Sequence, residues 1–125
     1  MYKSSISELY KALHARLKRP GVLVGGAGYP RVEIHSITEG EPLDKSLKTR
    51  EVTFVVESMS TESKGEVFEM NNLNNDLIFA KTLEVEGFDT IGLYPQIVTD
   101  MVEVSDTQTI IYRILQNYKI FLTQK

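Results

Sequence analysis

The chain has 125 residues, 42% hydrophobic and 25% charged, with a formal net charge of −3. These values are ordinary for a soluble globular protein and predict a single domain, residues 1–125, burying roughly 65–70% of its unfolded surface. The absence of cysteine excludes disulfides, thiolate zinc sites and cysteine nucleophiles. The apolar runs are too short to span a bilayer, and the N-terminus lacks the apolar region of a signal peptide.

Charge is distributed unevenly along the sequence. Residues 1–31 contain six basic groups and one acid, whereas residues 32–106 contain sixteen acids and five bases. One interpretation is a solvated surface that sorted in this way; the other is a basic edge of one copy that meets an acidic edge of the next. A nucleic-acid-binding face requires dominant positive charge, which a small basic segment on an acidic chain supports poorly.

The first predicted element is an amphipathic helix that begins after Ser5 and ends before Pro20. Ser5 and Glu8 have the spacing of a capping box, and apolar residues recur at helical spacing as far as Leu17. The glycine-rich stretch at residues 22–30 lacks the Lys-Ser/Thr of a phosphate-binding loop and precedes a strand. It is interpreted as a turn that reverses the chain.

Alternating apolar and polar residues predict strands over residues 31–38 and 49–60, paired as an antiparallel hairpin. Their polar connection, Glu39–Lys48, is longer than a turn requires, which predicts a contact role. A second helix is predicted over residues 63–83. A third strand over 90–104, broken near Pro95, then forms a second hairpin with a long strand over 107–124.

These elements predict an α+β domain with an antiparallel sheet of about four strands and two helices packed mainly on one face. If the helices cover the face of Ile110 and Ile120, then Ile111, Leu115 and Phe121 emerge on the opposite face. Those residues would form a partner surface, unless a loop such as residues 20–30 covers them within the same chain.

The order of elements resembles that of tail-terminator (tail-completion, head-to-tail joining) proteins of long-tailed bacteriophages. The segments that carry the resemblance are YPRVEI, REVTFVVES, STESKGE and EGFDTIGLYPQIV, together with the amphipathic first helix and the long closing strand. The resemblance implies a closed ring, usually hexameric, that caps the tail tube and docks to the head connector. It also implies that DNA passes through the ring without specific binding, and that the protein has neither a cofactor nor catalytic activity.

Candidate interface residues follow from the charge asymmetry, because a head-to-tail ring contact joins two different patches. The predicted subunit contact places the basic group Arg16, Lys18, Arg19 and Arg31 against the acidic run Glu84, Glu86 and Asp89. The predicted contact with tail tube or connector is the tip, with its charged residues Glu39, Glu41, Asp44, Lys45 and Lys48.

The competing hypothesis is a small α+β domain that binds a metabolite or peptide as a monomer or dimer, in a pocket between sheet and helices or on the open sheet face. Enzyme activity is not expected, because no Gly-x-Ser-x-Gly turn occurs and paired carboxylates such as Glu66 and Glu69 are ordinary in an acidic surface. A metal site is not expected either, because His14 and His35 have no local cluster of further ligands.

Overall fold

The computed structural model describes residues 2–125, which form two helices and five strands. In chain order these are α1 (Ile6–Leu17), β1 (Leu23–Val24), β2 (Arg31–Pro42), β3 (Thr49–Ser60), α2 (Lys64–Phe79), β4 (Phe88–Val104) and β5 (Ile110–Gln124). Both predicted hairpins are present, since β2 pairs antiparallel with β3, and β4 pairs antiparallel with β5.

The five strands form one sheet in the order β1-β2-β3-β5-β4, with β1 parallel to β2 and all other pairs antiparallel. The α+β class is confirmed, but the prediction of about four antiparallel strands was wrong, because the sheet is mixed and has a fifth strand. This strand is only two residues long and lies in the glycine-rich stretch. The Leu23 N–H donates to the Pro30 carbonyl and the Gly25 N–H to the Val32 carbonyl, at 3.1 and 2.8 Å.

Both helices pack on the same face of the sheet, here called the helix face. Alternate residues of β5, from Ile114 to Leu122, are buried on it together with one register of β2 and β3. Both helices and the sheet contribute side chains to the core. These are Leu9, Leu13 and Leu17 of α1, Val67, Met70 and Ile78 of α2, and Val32, Val52, Phe54, Val56, Tyr118 and Ile120 of the sheet. The opposite side of the sheet is called the bare face.

The beginning of α1 differs from the predicted capping box. The Ser5 side chain makes no hydrogen bond within the helix and instead donates to Glu39 Oε2 of β2, at 2.5 Å. Glu8 forms an ion pair with Lys11 at 3.3 Å. The capping-box prediction failed because a buried carboxylate on the neighbouring strand is a stronger partner for the Ser5 hydroxyl than the first helical turn.

Helix α2 begins as predicted after Ser63, whose side chain accepts a hydrogen bond from the Glu66 N–H at 3.1 Å. It ends at Phe79, short of the predicted residue 83. The asparagine-rich stretch faces the sheet: Asn74 Nδ2 donates to Ser58 Oγ at 2.9 Å, and Asn75 accepts from the Tyr118 hydroxyl. These polar contacts fix the position of α2 over β3 and β5.

Candidate interaction surfaces

One edge of the sheet, formed by β4, is apolar and exposed. Every residue from Tyr94 to Val104 is exposed, and the apolar ones have exposed fractions between 48% and 68%. The exposed apolar set at this edge is Ile91, Tyr94, Ile97, Val98, Met101, Val102 and Val104, with Ile110 of β5. A long edge strand of this kind leaves backbone N–H and C=O groups unpaired beside apolar side chains, which favours pairing with another chain.

The end of this hairpin carries exposed apolar side chains on both faces, together with the charged Glu103 on the bare face. Pairing of Val102 with Tyr112 places those two side chains on the helix face, whereas pairing of Met101 with Arg113 places these on the bare face. Strand β3 ends at Ser60, opposite Tyr112, so the hairpin continues beyond its neighbour. Residues 94–112 are called the hairpin arm; both its faces remain accessible to a partner.

The opposite edge of the sheet, formed by β2, is protected. Strand β1 pairs with its first two residues, Arg31 and Val32. Irregularities in the pairing with β3 interrupt β2 between His35 and Thr38 and again before Pro42. Short covering strands, bulges and proline are devices that prevent edge-to-edge pairing. The two edges therefore differ in how readily another strand can be added.

The bare face carries a row of charged side chains that links four strands. Glu57 of β3, 2% exposed, lies within hydrogen-bond distance of His35 Nε2 of β2, at 2.8 Å, and accepts from Arg113 Nε of β5. Arg113 donates in addition to Glu103 of β4. The hydrogen bond to Glu57 raises the pKa of Arg113. Sequence reasoning missed this row because its members lie far apart in the chain and meet only through strand pairing.

The apolar residues predicted to emerge on the bare face do so. Ile111, Leu115 and Phe121 are half-buried there, and Phe121 packs edge-on against Tyr94 with ring centroids 6.1 Å apart. The predicted alternative, a covering loop at residues 20–30, is not what the pairing shows, because β1 adds to the outer side of β2 and β5 lies two strands away.

Arg16, predicted as a subunit contact, is occupied within its own chain. Its guanidinium donates to the carbonyls of Leu77, Ile78, Lys81 and Thr82 at 2.9 to 3.1 Å. Leu77 and Ile78 lie in the last turn of α2, where carbonyls lack helical partners, and Lys81 and Thr82 follow the helix; a cation there also complements the helix dipole. The geometry assigns Arg16 the role of a C-terminal cap that joins α1 to α2.

The other predicted basic residues gather beside β1. Lys18 is exposed after the end of α1, while Arg31 lies over the Tyr29 ring at 4.5 Å and pairs with Glu33 at 2.9 Å. Arg19 donates to the Leu17 carbonyl at 3.1 Å, and burial lowers the pKa of its guanidinium. Within residues 2–125 its Nη2 atom has no hydrogen-bond partner.

The predicted acidic run lies along the other side of α1. Glu84, Glu86 and Asp89 line a concavity of about 570 Å³, together with Lys125, whose ammonium is 3.9 Å from Asp89. Glu84 also lines a neighbouring concavity with Arg16. The structure thus brings Glu84 near one of the basic residues of the same subunit; the predicted contact between subunits stays a prediction.

The tip between β2 and β3 is held by Asp44 and exposes two leucines. Asp44 Oδ1 accepts from Ser46 Oγ at 2.9 Å and from the Lys48 N–H at 3.1 Å; hydrogen bonds, first from Thr49 and then from Ser46, lower the pKa of Asp44. Leu43 and Leu47 are 57% and 51% exposed. Sequence reasoning named only charged residues here and missed these apolar groups.

Of the charged tip residues, Glu41, Lys45 and Lys48 are exposed, but Glu39 is not part of an outer surface. It lies on the helix face and accepts from the Tyr2 hydroxyl, the Ser5 hydroxyl and N–H, and Arg50 Nη1. Burial raises the pKa of Glu39, but the hydrogen bonds from Ser5, Tyr2 and Arg50 outweigh it and lower the pKa to about 2. Glu39 therefore fastens the N-terminal segment to β2.

Among residues 2–125, no three or more His, Asp or Glu side chains are grouped to hold a metal ion. None of the helices in this range is long and apolar enough to cross a membrane. Between α2 and the sheet, where a ligand pocket was an alternative, concavities of about 240 and 420 Å³ lie beside the core, the second lined by Phe68, Val98 and Ile114 among others.

Two solved structures of known proteins have a fold similar to that of this chain. The fold of this chain is similar to that of a chain of the virion of a native gene transfer agent particle. The TM-score is 0.66 at 13% sequence identity, over 92% of this chain and 91% of that chain. A similar fold also occurs in the gp17 protein of bacteriophage SPP1, with a TM-score of 0.50 at 18% identity over 96% and 92%. No family model and no curated protein match the sequence.

Proposed function

We propose that this chain is a structural protein of a phage or prophage tail, which forms a ring that caps the tail tube and joins the tail to the head. The observation that carries the proposal is the likeness to a chain of a gene transfer agent virion across more than nine-tenths of both chains. The likeness to a bacteriophage protein over similar coverage supports the same class. At these identities the comparison concerns the fold, so the function is argued from the surfaces as well.

Two surfaces of the molecule and its net charge suit assembly. The hairpin arm carries exposed apolar side chains on both faces, as is expected of a segment that lies between subunits rather than in solvent. The tip presents Leu43 and Leu47 at the end of the sheet opposite the hairpin turn, where a tube or head-completion protein would be contacted. The net charge of −3 suits a ring through which DNA passes without binding.

In this proposal the chain acts by assembly and catalyses no reaction. Its partners are further copies of itself, usually six in a ring, the tail tube protein on one side and the head-completion protein on the other. It would reside in the virion tail after assembly in the host cytoplasm. The supporting feature is the exposed apolar surface of the hairpin arm, with seven large apolar side chains, and of the tip, with two.

The proposal is tested by deleting the gene for this chain from the phage or prophage that encodes it and counting particles by electron microscopy. We expect filled heads and finished tails that stay separate, and we expect the purified protein to restore joining when it is added to the lysate. Intact, infective particles from the deletion would overturn the proposal.

A matched pair of variants locates the contact. Leu43→Asp with Leu47→Asp should abolish the restoration of joining by the added protein, because the apolar tip is lost without a change in the core. Lys45→Ser, in the same loop, should leave restoration unchanged. Equal activity of the two proteins would move the contact away from the tip.

A further inference from the structure

We infer that the hairpin arm of one copy docks against the β1 edge of the next copy, in a head-to-tail contact between two different surfaces. The β1 edge is defined here as Lys18, Arg19, Leu23, Tyr29 and Arg31. The inference rests on the proposed function only in taking the chain to assemble with itself, and it names the surfaces that do so.

Surface area and polarity indicate that the arm is covered by a protein. At their exposed fractions of 44–68%, the eight apolar residues at the β4 edge present roughly 700 Å², close to the ~800 Å² per partner of a standard interface. The β1 edge also has an apolar part, since Leu23 and Tyr29 are 49% and 37% exposed. Each surface therefore combines apolar area with charge at its margin, as interfaces do.

Charge complementarity identifies the occupant as a second copy. The segment from Pro95 to Tyr112 carries three acids, Asp100, Glu103 and Asp106, and no base. The β1 edge carries three bases, Lys18, Arg19 and Arg31, and no acid, and Glu33 pairs with Arg31 beside it. Both surfaces belong to every copy, so a chain that meets another copy finds an oppositely charged surface, which steers association and sets its register.

Glu103 is bound to Arg113 and Arg31 to Glu33 within the subunit, but other charges on both sides can exchange partners. Asp100 pairs with Lys64 at 3.5 Å, with both side chains about half exposed, and exposed pairs of this kind contribute little. Asp106 is exposed in the hairpin turn. Across the proposed contact, Lys18 is exposed and Arg19 has an Nη2 atom without a partner in residues 2–125.

Strand register places the two surfaces at the same height on opposite edges of the sheet. Arg31 pairs with Met59, Met59 with Arg113, and Arg113 with Met101, so one row runs from the β1 edge to the hairpin arm. When a contact joins surfaces at one height, successive copies are related by a rotation, with little translation along the strand direction. A heterologous contact of that kind closes into a ring, whereas a large rise generates a filament.

The experiment uses two charge-reversed proteins and their mixture. Protein A carries Lys18→Glu and Arg19→Glu, and protein B carries Asp100→Lys and Asp106→Lys. In each protein alone, arm and β1 edge have the same sign, and we expect association to weaken by about tenfold or more relative to the unaltered chain. In the mixture, every arm meets an oppositely charged edge of the other protein, so assembly should return with A and B alternating.

Sedimentation velocity measures the assembly, and thermal unfolding shows that A and B are folded. A chemical cross-link provides an independent test, because the chain has no cysteine of its own. In a chain with Leu23→Cys and Val102→Cys, a short bismaleimide should produce ladders of several copies. Each single-cysteine variant should give only a small yield of cross-linked dimer and no larger product.

Several outcomes overturn the inference. They are unaltered assembly of A or B alone, a mixture that behaves as its components do, strong dimers from Val102→Cys alone, and a chain that stays monomeric under cross-linking at its highest soluble concentration. Any of these leaves the particle-joining experiment to decide the proposed function separately. Failure of the joining experiment with intact A–B alternation would refute the function and keep the contact.

Discussion

The two edges of the sheet are built in opposite ways. The β2 edge is covered in part by β1 and broken by bulges, and its far end is tied to the N-terminal segment through Glu39. The β4 edge has no covering strand within residues 2–125, and after Pro95 it runs to Val104 with apolar side chains on both faces. One edge is covered in part by the chain itself, and the other is open to pairing with another chain.

This difference bears on the symmetry of assembly. If both edges were bare, the sheet could extend by pairing any edge with any other, which is the route to aggregation. With one protected and charged edge and one apolar edge, the favourable contact joins unlike surfaces. Unlike surfaces produce directional, heterologous assembly, the type that generates rings.

The largest predicted effect on stability comes from removing the buried side chain that anchors the β2 edge. Arg50 is fully buried and donates to Glu39 Oε2, to the Lys3 and Lys48 carbonyls and to Gln124 Oε1. Arg50→Met removes these bonds and leaves Glu39 without its cation, so we expect the free energy of unfolding to fall by about 3–5 kcal/mol.

Denaturant unfolding of the Arg50→Met variant measures that loss, and the matched control is Lys48→Met in the exposed tip, expected to change stability by no more than about 0.5 kcal/mol. A loss below about 1 kcal/mol in Arg50→Met would contradict the assignment of this side chain as the anchor of the β2 edge.

The next effect tests the same anchor through pH. Glu39 has a pKa lowered to about 2 in the folded state, so its contribution to stability is present above its unfolded pKa and is lost as pH falls towards 2. Glu39→Gln should cost about 2–3 kcal/mol at pH 7. The difference between variant and unaltered chain should shrink between pH 5 and 2, as measured by denaturant unfolding at each pH.

Two features make this pH test specific. The Glu39 side chain is only 10% exposed, so solvent screens its bonds little. A matched control is Glu41→Gln, two residues along in the same strand and exposed, which should change stability little at any pH. A cost of Glu39→Gln that is constant from pH 7 to pH 2 would show that the ionised carboxylate is not what stabilises the fold.

Most elements of the sheet were predictable from sequence, because they depend on local periodicity. The alternation in residues 49–60 matches β3 at both ends, and the break at Pro95 coincides with a register shift in β4. The strand β1 was missed, since two residues among glycines give no period to recognise. The early end of α2 was missed as well, because its cap is Arg16, sixty-one residues before Leu77 in the chain.

The surfaces were less predictable than the fold. Charged residues were chosen for their sign, and Arg16 and Glu39 proved to be bound inside the subunit. The exposure of Ile97 and Val102 depends on β4 being the last strand of the sheet. Strand order is a long-range property that one sequence does not specify, because an apolar alternating segment suits a central strand and an edge strand equally.

A third prediction tests the exposed β4 edge by adding a charge to it. Ile97 is 68% exposed on β4, and Ile97→Lys places a charge where edge pairing would bury it. We expect association to weaken by about tenfold, near 1.4 kcal/mol, while monomer stability changes by no more than about 0.5 kcal/mol. Sedimentation velocity measures the first quantity and denaturant unfolding the second.

The matched control for this variant is Thr38→Lys on β2, an exposed strand position at the opposite edge. It should leave association unchanged, because the bulge beside it already prevents pairing. If the two lysine variants weakened association equally, the distinction between a bare and a protected edge would be lost. If neither did, assembly would have to use the faces of the sheet.

The smallest effect concerns the turn that supports the hairpin arm. Gln108 has φ +65° in the loop between β4 and β5, where its N–H donates to the Ser105 carbonyl at 2.9 Å. Glycine adopts this left-handed conformation without the steric cost that a side chain incurs. Gln108→Gly should therefore stabilise the fold by roughly 0.5–1 kcal/mol, whereas Thr107→Gly, which removes hydroxyl contacts to Ser105 and Thr109, should destabilise it. Thermal unfolding of the two variants under conditions where the chain is monomeric measures both, and a gain in Gln108→Gly that appears only in the assembled state would place this turn in the contact between copies.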